Sequence, residues 1–262
     1  MNFKEIKSKI KSFVEDELFP LEPWILNSEW DEKLPKLNEL RDKVKSIGLW
    51  LPQISKEYGG LGLTLEQHGE VSEIIGASPY GFYVFNCQAP DAGNMEILIE
   101  CGSEEQKEQY LQPLLDGKIR SCFAMTEPDF AGSNPVKMGT VAVRENDHYI
   151  INGHKWFASG FDGAEFAIVM LVTDPEGNDP HKKASQIIVP TKAKGVKFIR
   201  NISIMGHPGG GWESHAEIKF DNVKVPSSNV LGEEGEGFAI AQKRLGPGRI
   251  HHCMRWIGIC ER

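Results

Sequence analysis

Residues 122–133, Cys-Phe-Ala-Met-Thr-Glu-Pro-Asp-Phe-Ala-Gly-Ser, carry the densest chemistry in the chain. An apolar, strand-like run ends on a hydroxyl and an acid, Thr126 and Glu127. A proline turn and a loop of small residues reaching Gly132 and Ser133 follow. Apolar linings with a few placed polar groups are how proteins hold flat cofactors. The strand would cover one face of a hydrogen-bonding heterocycle, while the Thr126 hydroxyl and the amides beside it meet its polar edge. The alternative for Thr126 is an ordinary strand-end hydroxyl, and for Ser133 a simple turn serine.

Other candidates are weaker. Arg249 follows Gly246-Pro247-Gly248, and a guanidinium suits phosphate or carbonyl oxygen; it reads equally well as an exposed arginine at a helix start. His251-His252 has no partner at metal-ligand spacing and reads as surface or interface. His207, beside Gly209-Gly210-Gly211, reads as a loop tip. Tyr58-Gly59-Gly60-Leu61-Gly62 is a poor phosphate cradle, because no strand leads into it and no Lys-Ser/Thr follows. No G-x-G-x-x-G follows a strand and opens a helix, which disfavours a nicotinamide dehydrogenase. The five cysteines are odd in number and lack any C-x-x-C pair. A disulfide scaffold and a zinc site are therefore not expected, no metal is assigned, and a reducing compartment is favoured.

The elements that must position these residues change in texture along the chain. Phe3, Ile6, Ile10, Phe13 and Val14 recur at helical spacing, as do Leu37, Leu40, Val44 and Ile47 before a stop at Gly48. Thr64 with Gln67 and Ser103 with Gln106 fit the capping box. Tyr110, Leu111, Leu114 and Leu115 form one apolar face closed by Gly117, and Trp24, Trp30 and Trp50 are expected to pack helices. From Ser121 the period shortens. Val141, Val143, Tyr149 and Ile151 alternate around Asn146-Asp147, predicting a hairpin. Phe166–Val172 and Gln186–Val189 read as buried strands, with Val196–Phe198 and Ala216–Phe220 as further ones. Gly232–Gly237 punctuates the chain, and a helical pattern resumes at Phe238. The expected fold is α+β: an all-helical domain over 1–120, a β-barrel or sandwich domain over 121–232, and over 233–262 the first helix of a C-terminal helical bundle.

At 262 residues the chain can bury a full core, and 40% hydrophobic with 25% charged residues fits a globular protein. A formal charge of −8 argues against a nucleic-acid surface. No apolar run approaches the roughly 20 residues that span a bilayer. The N-terminus has no apolar signal core, which favours the cytoplasm, with mitochondrion or peroxisome as the alternatives in a eukaryote.

Thr126-Glu127-Pro128 followed by Gly132-Ser133 resembles the flavin-binding signature of the acyl-CoA dehydrogenases. With Asp129 after the proline it is most similar to the subgroup containing family members 10 and 11. Ile151-Asn152-Gly153-His154-Lys155 resembles the family's second barrel motif. Phe220-Asp221-Asn222-Val223-Lys224-Val225-Pro226 resembles its barrel exit, and Leu245-Gly246-Pro247-Gly248-Arg249 the start of its C-terminal helical domain. Each motif is modest alone, but the four stand in the family's order across nearly the whole chain.

The resemblance implies FAD as cofactor and the oxidation of an acyl-CoA thioester to its trans-2-enoyl form, as in fatty acid β-oxidation. It places Phe123, Met125 and Thr126 along the flavin, and Ser133 against both cofactor and thioester. It places Phe157, Ala158 and Ser159 beside the ring, with Phe157 where most relatives have Trp and Ser159 where they have Thr. Arg249 matches a substrate-contacting residue. The catalytic base is expected beyond Arg262; Gly248 stands where some relatives carry it and cannot serve, and Glu261 is not assigned to it. The implied partners are acyl-CoA, an electron-transfer flavoprotein or similar acceptor, and further copies of the full-length chain. Nucleic acid and a membrane span are not expected. The chain by itself is expected to be a fragment or a shortened product with little or no dehydrogenase activity. The rival readings are an acyl-CoA oxidase and a non-catalytic flavin- or partner-binding module of the same fold.

Overall fold

The computed structural model describes residues 1–262, which pack as two compact units: Met1–Gly93 with Leu245–Arg262, and Asn94–Arg244. The first unit is helical. It contains α1 (Phe3–Phe13), α2 (Glu22–Ile25), α3 (Trp30–Ser46), α4 (Leu65–Gly76), α5 (Gly81–Val84) and the first residues of α6 (Asp91–Cys101). Helix α1 begins on a capping box in which Asn2 and Glu5 exchange side-chain bonds with each other's amides, and it buries Ile6, Ile10 and Phe13. The Thr64–Gln67 box starts α4 as its sequence predicts. In α3 the apolar repeat buries Leu37, Leu40 and Val44, but Ile47 lies past the last turn and is exposed.

Two other residues depart from expectation. Trp30 is buried edge-on to Tyr83, whereas Trp24 is exposed, because α2 is a single turn with too little face to cover an indole. His251 is not a plain surface residue: its ring lies 4.2 Å from that of buried His68, while His252 is exposed.

The second unit continues α6 and adds α7 (Glu104–Gln106), which starts on the Ser103–Gln106 capping box, and α8 (Gln112–Leu115). A π-helical turn, Lys107–Leu111, joins those two short helices. Then come β1 (Ser121–Ala124), β2 (Val141–Glu145), β3 (His148–Ser159), β4 (Phe166–Val172), β5 (Ala184–Pro190), β6 (Val196–Asn201) and β7 (His215–Pro226). The last helix, α9 (Gly237–Glu261), starts in this unit and ends in the first.

The strands form one curled mixed sheet in the order β1-β4-β2-β3-β7-β6, with β5 also on β4. The predicted hairpin is β2–β3, turned at Asn146 with φ +57°. The β1–β4 pairing and the single β2–β4 bridge are parallel, and all other pairs are antiparallel. Alternation sorts side chains to two faces. Cys122, Ala124, Tyr149, Ile151, Val169, Leu171, Ile218 and Phe220 fill the concave core. Phe123, Met125 and Met170 face the other way, with Met138, Ala184, Phe238 and Ala241.

Candidate functional site

Strand β1 ends at Ala124, and the chain then runs beside an irregular stretch of β3. The β3–β7 ladder is in register at Lys155↔Ile218 and resumes at Ala158↔Ala216, so Trp156 and Phe157 form a bulge. Phe157 takes φ +49°, a left-handed conformation that is strained for an aromatic residue. The bulge keeps its ring 41% exposed, edge-on to Trp156 at 5.1 Å.

The backbone groups that Trp156 withdraws from the ladder are taken up by Thr126. The Trp156 N–H donates to Thr126 O at 3.0 Å, and the Thr126 hydroxyl donates to Trp156 O at 2.8 Å. This reciprocal clamp joins the signature segment to the bulge. The Thr126 hydroxyl proton is thereby committed within the protein, so toward a ligand that oxygen can only accept. Donation falls instead to the amides of Thr126, Gly132 and Ser133, none of which bonds within the chain. Gly132 lies so close over Thr126 that a Cβ there would come 3.1 Å from Thr126 Cγ2.

Ser159 is three residues beyond the clamp, and its Oγ lies 2.8 Å from His215 Nδ1 on β7. Burial holds His215 below the ordinary histidine range, so the ring is neutral at physiological pH. Ala158 has no exposed surface: its methyl lies in the concave core and its carbonyl accepts the Phe161 N–H at 3.3 Å. Phe123 and Met125 form an apolar wall on the opposite face of β1. Ser133 is exposed in the loop after Pro128. Seven predicted residues, Phe123, Met125, Thr126, Ser133, Phe157, Ala158 and Ser159, thus fall within the β-containing unit, on β1, its loop and the β3 bulge. Arg249 is exposed on α9 in the helical unit.

Four polar residues beside these were not predicted. Lys155, fully buried, donates to Met125 O at 2.8 Å and to Glu127 Oε1 at 2.7 Å. Burial works against Glu127's charge, but Lys155 and bonds from Gly139 and Thr140 outweigh it and hold the carboxyl below its usual range. Burial also lowers Lys155 to about 8, against the pull of Glu127. Arg244 stacks its guanidinium 4.1 Å from the Phe123 ring centroid and donates to Asn94 Oδ1 at 3.1 Å. On α6, burial raises Glu96 to about 7, with Arg244 opposing the shift. The phase of β3 was a usable signal for Lys155: Tyr149, Ile151, Gly153 and Lys155 share one side of the strand.

This apolar wall, clamp and set of open amides fit a flat heterocycle with acceptors on one edge. They supply no carboxylate free to take a proton from a carbon acid, since Glu127 is fully engaged.

Comparison with known proteins gives matches at both levels. Residues 2–118 match the model of the acyl-CoA dehydrogenase N-terminal domain, and residues 122–223 that of the middle domain. Acyl-CoA dehydrogenase family member 10 of Mus musculus is 42% identical over 99% of the chain, which spans 25% of that relative's length. FadE2 of Mycobacterium tuberculosis is 45% identical over 87% of the chain, covering 55% of its own length. A solved structure from Mycobacterium abscessus, assigned to the acyl-CoA dehydrogenases, superposes with a TM-score of 0.91 at 38% identity. That alignment covers 99% of this chain and 67% of that one.

Proposed function

The chain belongs to the acyl-CoA dehydrogenase family, and on that premise we propose that it contributes the flavin- and thioester-facing wall of an FAD-dependent enzyme that desaturates an acyl-CoA to its trans-2-enoyl form. The observation that carries the reading is the clamp between Thr126 and the Trp156–Phe157 bulge, which presents an exposed aromatic ring, Ser159 and open amides on adjoining segments. When bound, FAD supplies hydride acceptance at the substrate β-carbon.

The protein's part is placement. Phe123 and Met125 offer an apolar surface, and Phe157 a second one across the bulge. Amides of Thr126, Gly132 and Ser133 donate to acceptors, while the Ser159 hydroxyl, with His215 behind it, can donate or accept. Fixed donors aimed at developing charge cost no reorganisation during reaction. This wall offers no carboxylate free to take the α-proton, because Glu127 is held by Lys155, Gly139 and Thr140, and electrons would pass on to an electron-transfer flavoprotein or similar acceptor.

The test has two arms. The 262-residue chain is mixed with FAD and gel-filtered; co-elution of flavin absorbance supports the wall, and its absence at saturating FAD refutes it. The protein is then assayed with acyl-CoA and an artificial electron acceptor, and peroxide formation under air would reassign it as an oxidase.

A further inference from the structure

Lysine is among the residues least often found in a dry interior, and Lys155 has no exposed surface at all. Replacing a buried ion pair by matched apolar side chains is often neutral or stabilising, so stability alone gives little reason for Lys155 and Glu127 to meet here. Their bonds achieve what apolar groups cannot. Lys155 Nζ holds the Met125 carbonyl at the end of the signature strand, at 2.8 Å, as well as Glu127. Glu127 takes the Gly139 N–H at 2.6 Å and the Thr140 N–H at 3.0 Å. One ion pair therefore fixes both ends of the 128–138 loop to β3.

Met138 packs with Phe123, Met125 and Met170 at the loop's far end, and the Thr126 clamp precedes its start, but between them the loop has no bond to the sheet. Its internal backbone bonds are local turns, such as Asn134 N–H to Ala131 O at 2.9 Å and Lys137 N–H to Asn134 O at 3.2 Å. The ring of Phe130 closes over Gly139, where a Cβ would come 2.8 Å from Phe130 Cε2. We propose that Glu127 and Lys155 are positioning residues that lock the 128–138 loop against Thr126 and the bulge, holding the Thr126, Gly132 and Ser133 amides in one arrangement before a ligand arrives. Neither touches the ligand. The ligand half rests on the flavin reading above; the lock does not.

Lys137 is exposed within the loop and Lys194 in the turn between β5 and β6, so trypsin reports on the lock without any cofactor. In the Lys155→Met chain, cleavage after Lys137 is expected to rise at least tenfold while cleavage after Lys194 stays unchanged, and FAD affinity is expected to fall at least tenfold. Unchanged cleavage after Lys137 overturns the lock, and faster cleavage with unchanged FAD affinity overturns its positioning role. Should the wild-type chain bind no FAD while the loop still loosens in the variant, the lock stands and the flavin reading fails. If Lys155→Met does not fold, hydrogen exchange on the wild type decides. The Gly139 and Thr140 amides must then exchange at least tenfold more slowly than those of Gly132 and Ser133, and equal rates overturn the proposal.

Discussion

His68 should make the helical unit acid-sensitive. It lies on α4 with 3% of its surface exposed, its Nε2 3.5 Å from Ser72 Oγ and its ring 4.2 Å from His251. Its Nδ1, like that of His251, is buried without a partner. Burial first, and the neighbouring His251 second, push its pKa from 6.5 down to about 3. The sign follows from linkage: below pH 6.5 the unfolded chain takes up a proton that the folded chain refuses. Stability is full above that value and is lost as pH falls from 6.5 toward 3. At pH 5 the unfolded state is favoured by 1.5 pH units' worth of protonation, about 2 kcal/mol. The assay is urea unfolding of the wild type and His68→Leu at pH 7.5 and pH 5. Lost packing and the Ser72 contact shift the variant equally at both pH values, so the difference of differences isolates the proton. Wild type should lose about 2 kcal/mol more than the variant on acidification. His251, also lowered by burial and then by His252, leaves a smaller residual sensitivity in the variant. Parallel pH profiles for the two chains would refute the argument.

Glu96, raised to about 7 by burial, must ionise in dry surroundings above that pH, so its contribution to stability declines between pH 4.5 and 7. Glu96→Gln should therefore be more stable than wild type by about 1–2 kcal/mol at pH 8 and show no gain at pH 4.5, by thermal shift. Gly258 on α9 lies against α4, where a Cβ would come 1.9 Å from Glu73 O. Gly258→Ala should lower stability by about 1–3 kcal/mol, and an unaltered urea midpoint would exclude that contact. Thr126→Val breaks the hydroxyl half of the clamp and leaves the Trp156 carbonyl without its 2.8 Å partner, while the Trp156 N–H keeps Thr126 O. A loss of about 1 kcal/mol is expected in urea unfolding, together with roughly fivefold weaker FAD binding by fluorescence titration.

Local signals were legible in the sequence, and register was not. The capping boxes at Thr64 and Ser103 and the turn at Asn146 depend on residues a few positions apart, so their chemistry is complete in a short window. The bulge at Trp156–Phe157 depends on how β3 is spaced against β7, and a left-handed phenylalanine has no local signature. His215 went unremarked for the same reason, since only the pairing Ser159↔His215 brings it to the site. That His251 packs on His68 was not legible because α9 carries apolar residues on many sides, with Ile250, Trp256, Ile257 and Ile259 exposed, so its phase does not reveal which face packs.

The inward phase of charged residues offered information that residue type concealed. On β3, Lys155 follows Tyr149, Ile151 and Gly153 on one side of the strand, and on α4, His68 shares a buried stripe with Val71, Ser72 and Ile75. A titratable side chain on a core-facing phase needs a partner, an altered protonation state or both. Lys155 has the partner and a lowered pKa, and His68 has the lowered pKa with one nitrogen unsatisfied. The two therefore respond differently to substitution. Replacing Lys155 by an apolar residue strands Glu127 as a buried charge and frees a loop, whereas replacing His68 by leucine removes a group whose charged form the fold excludes. Lys155→Met should thus act locally and against ligand binding at neutral pH, and His68→Leu should act on acid stability with FAD affinity unchanged.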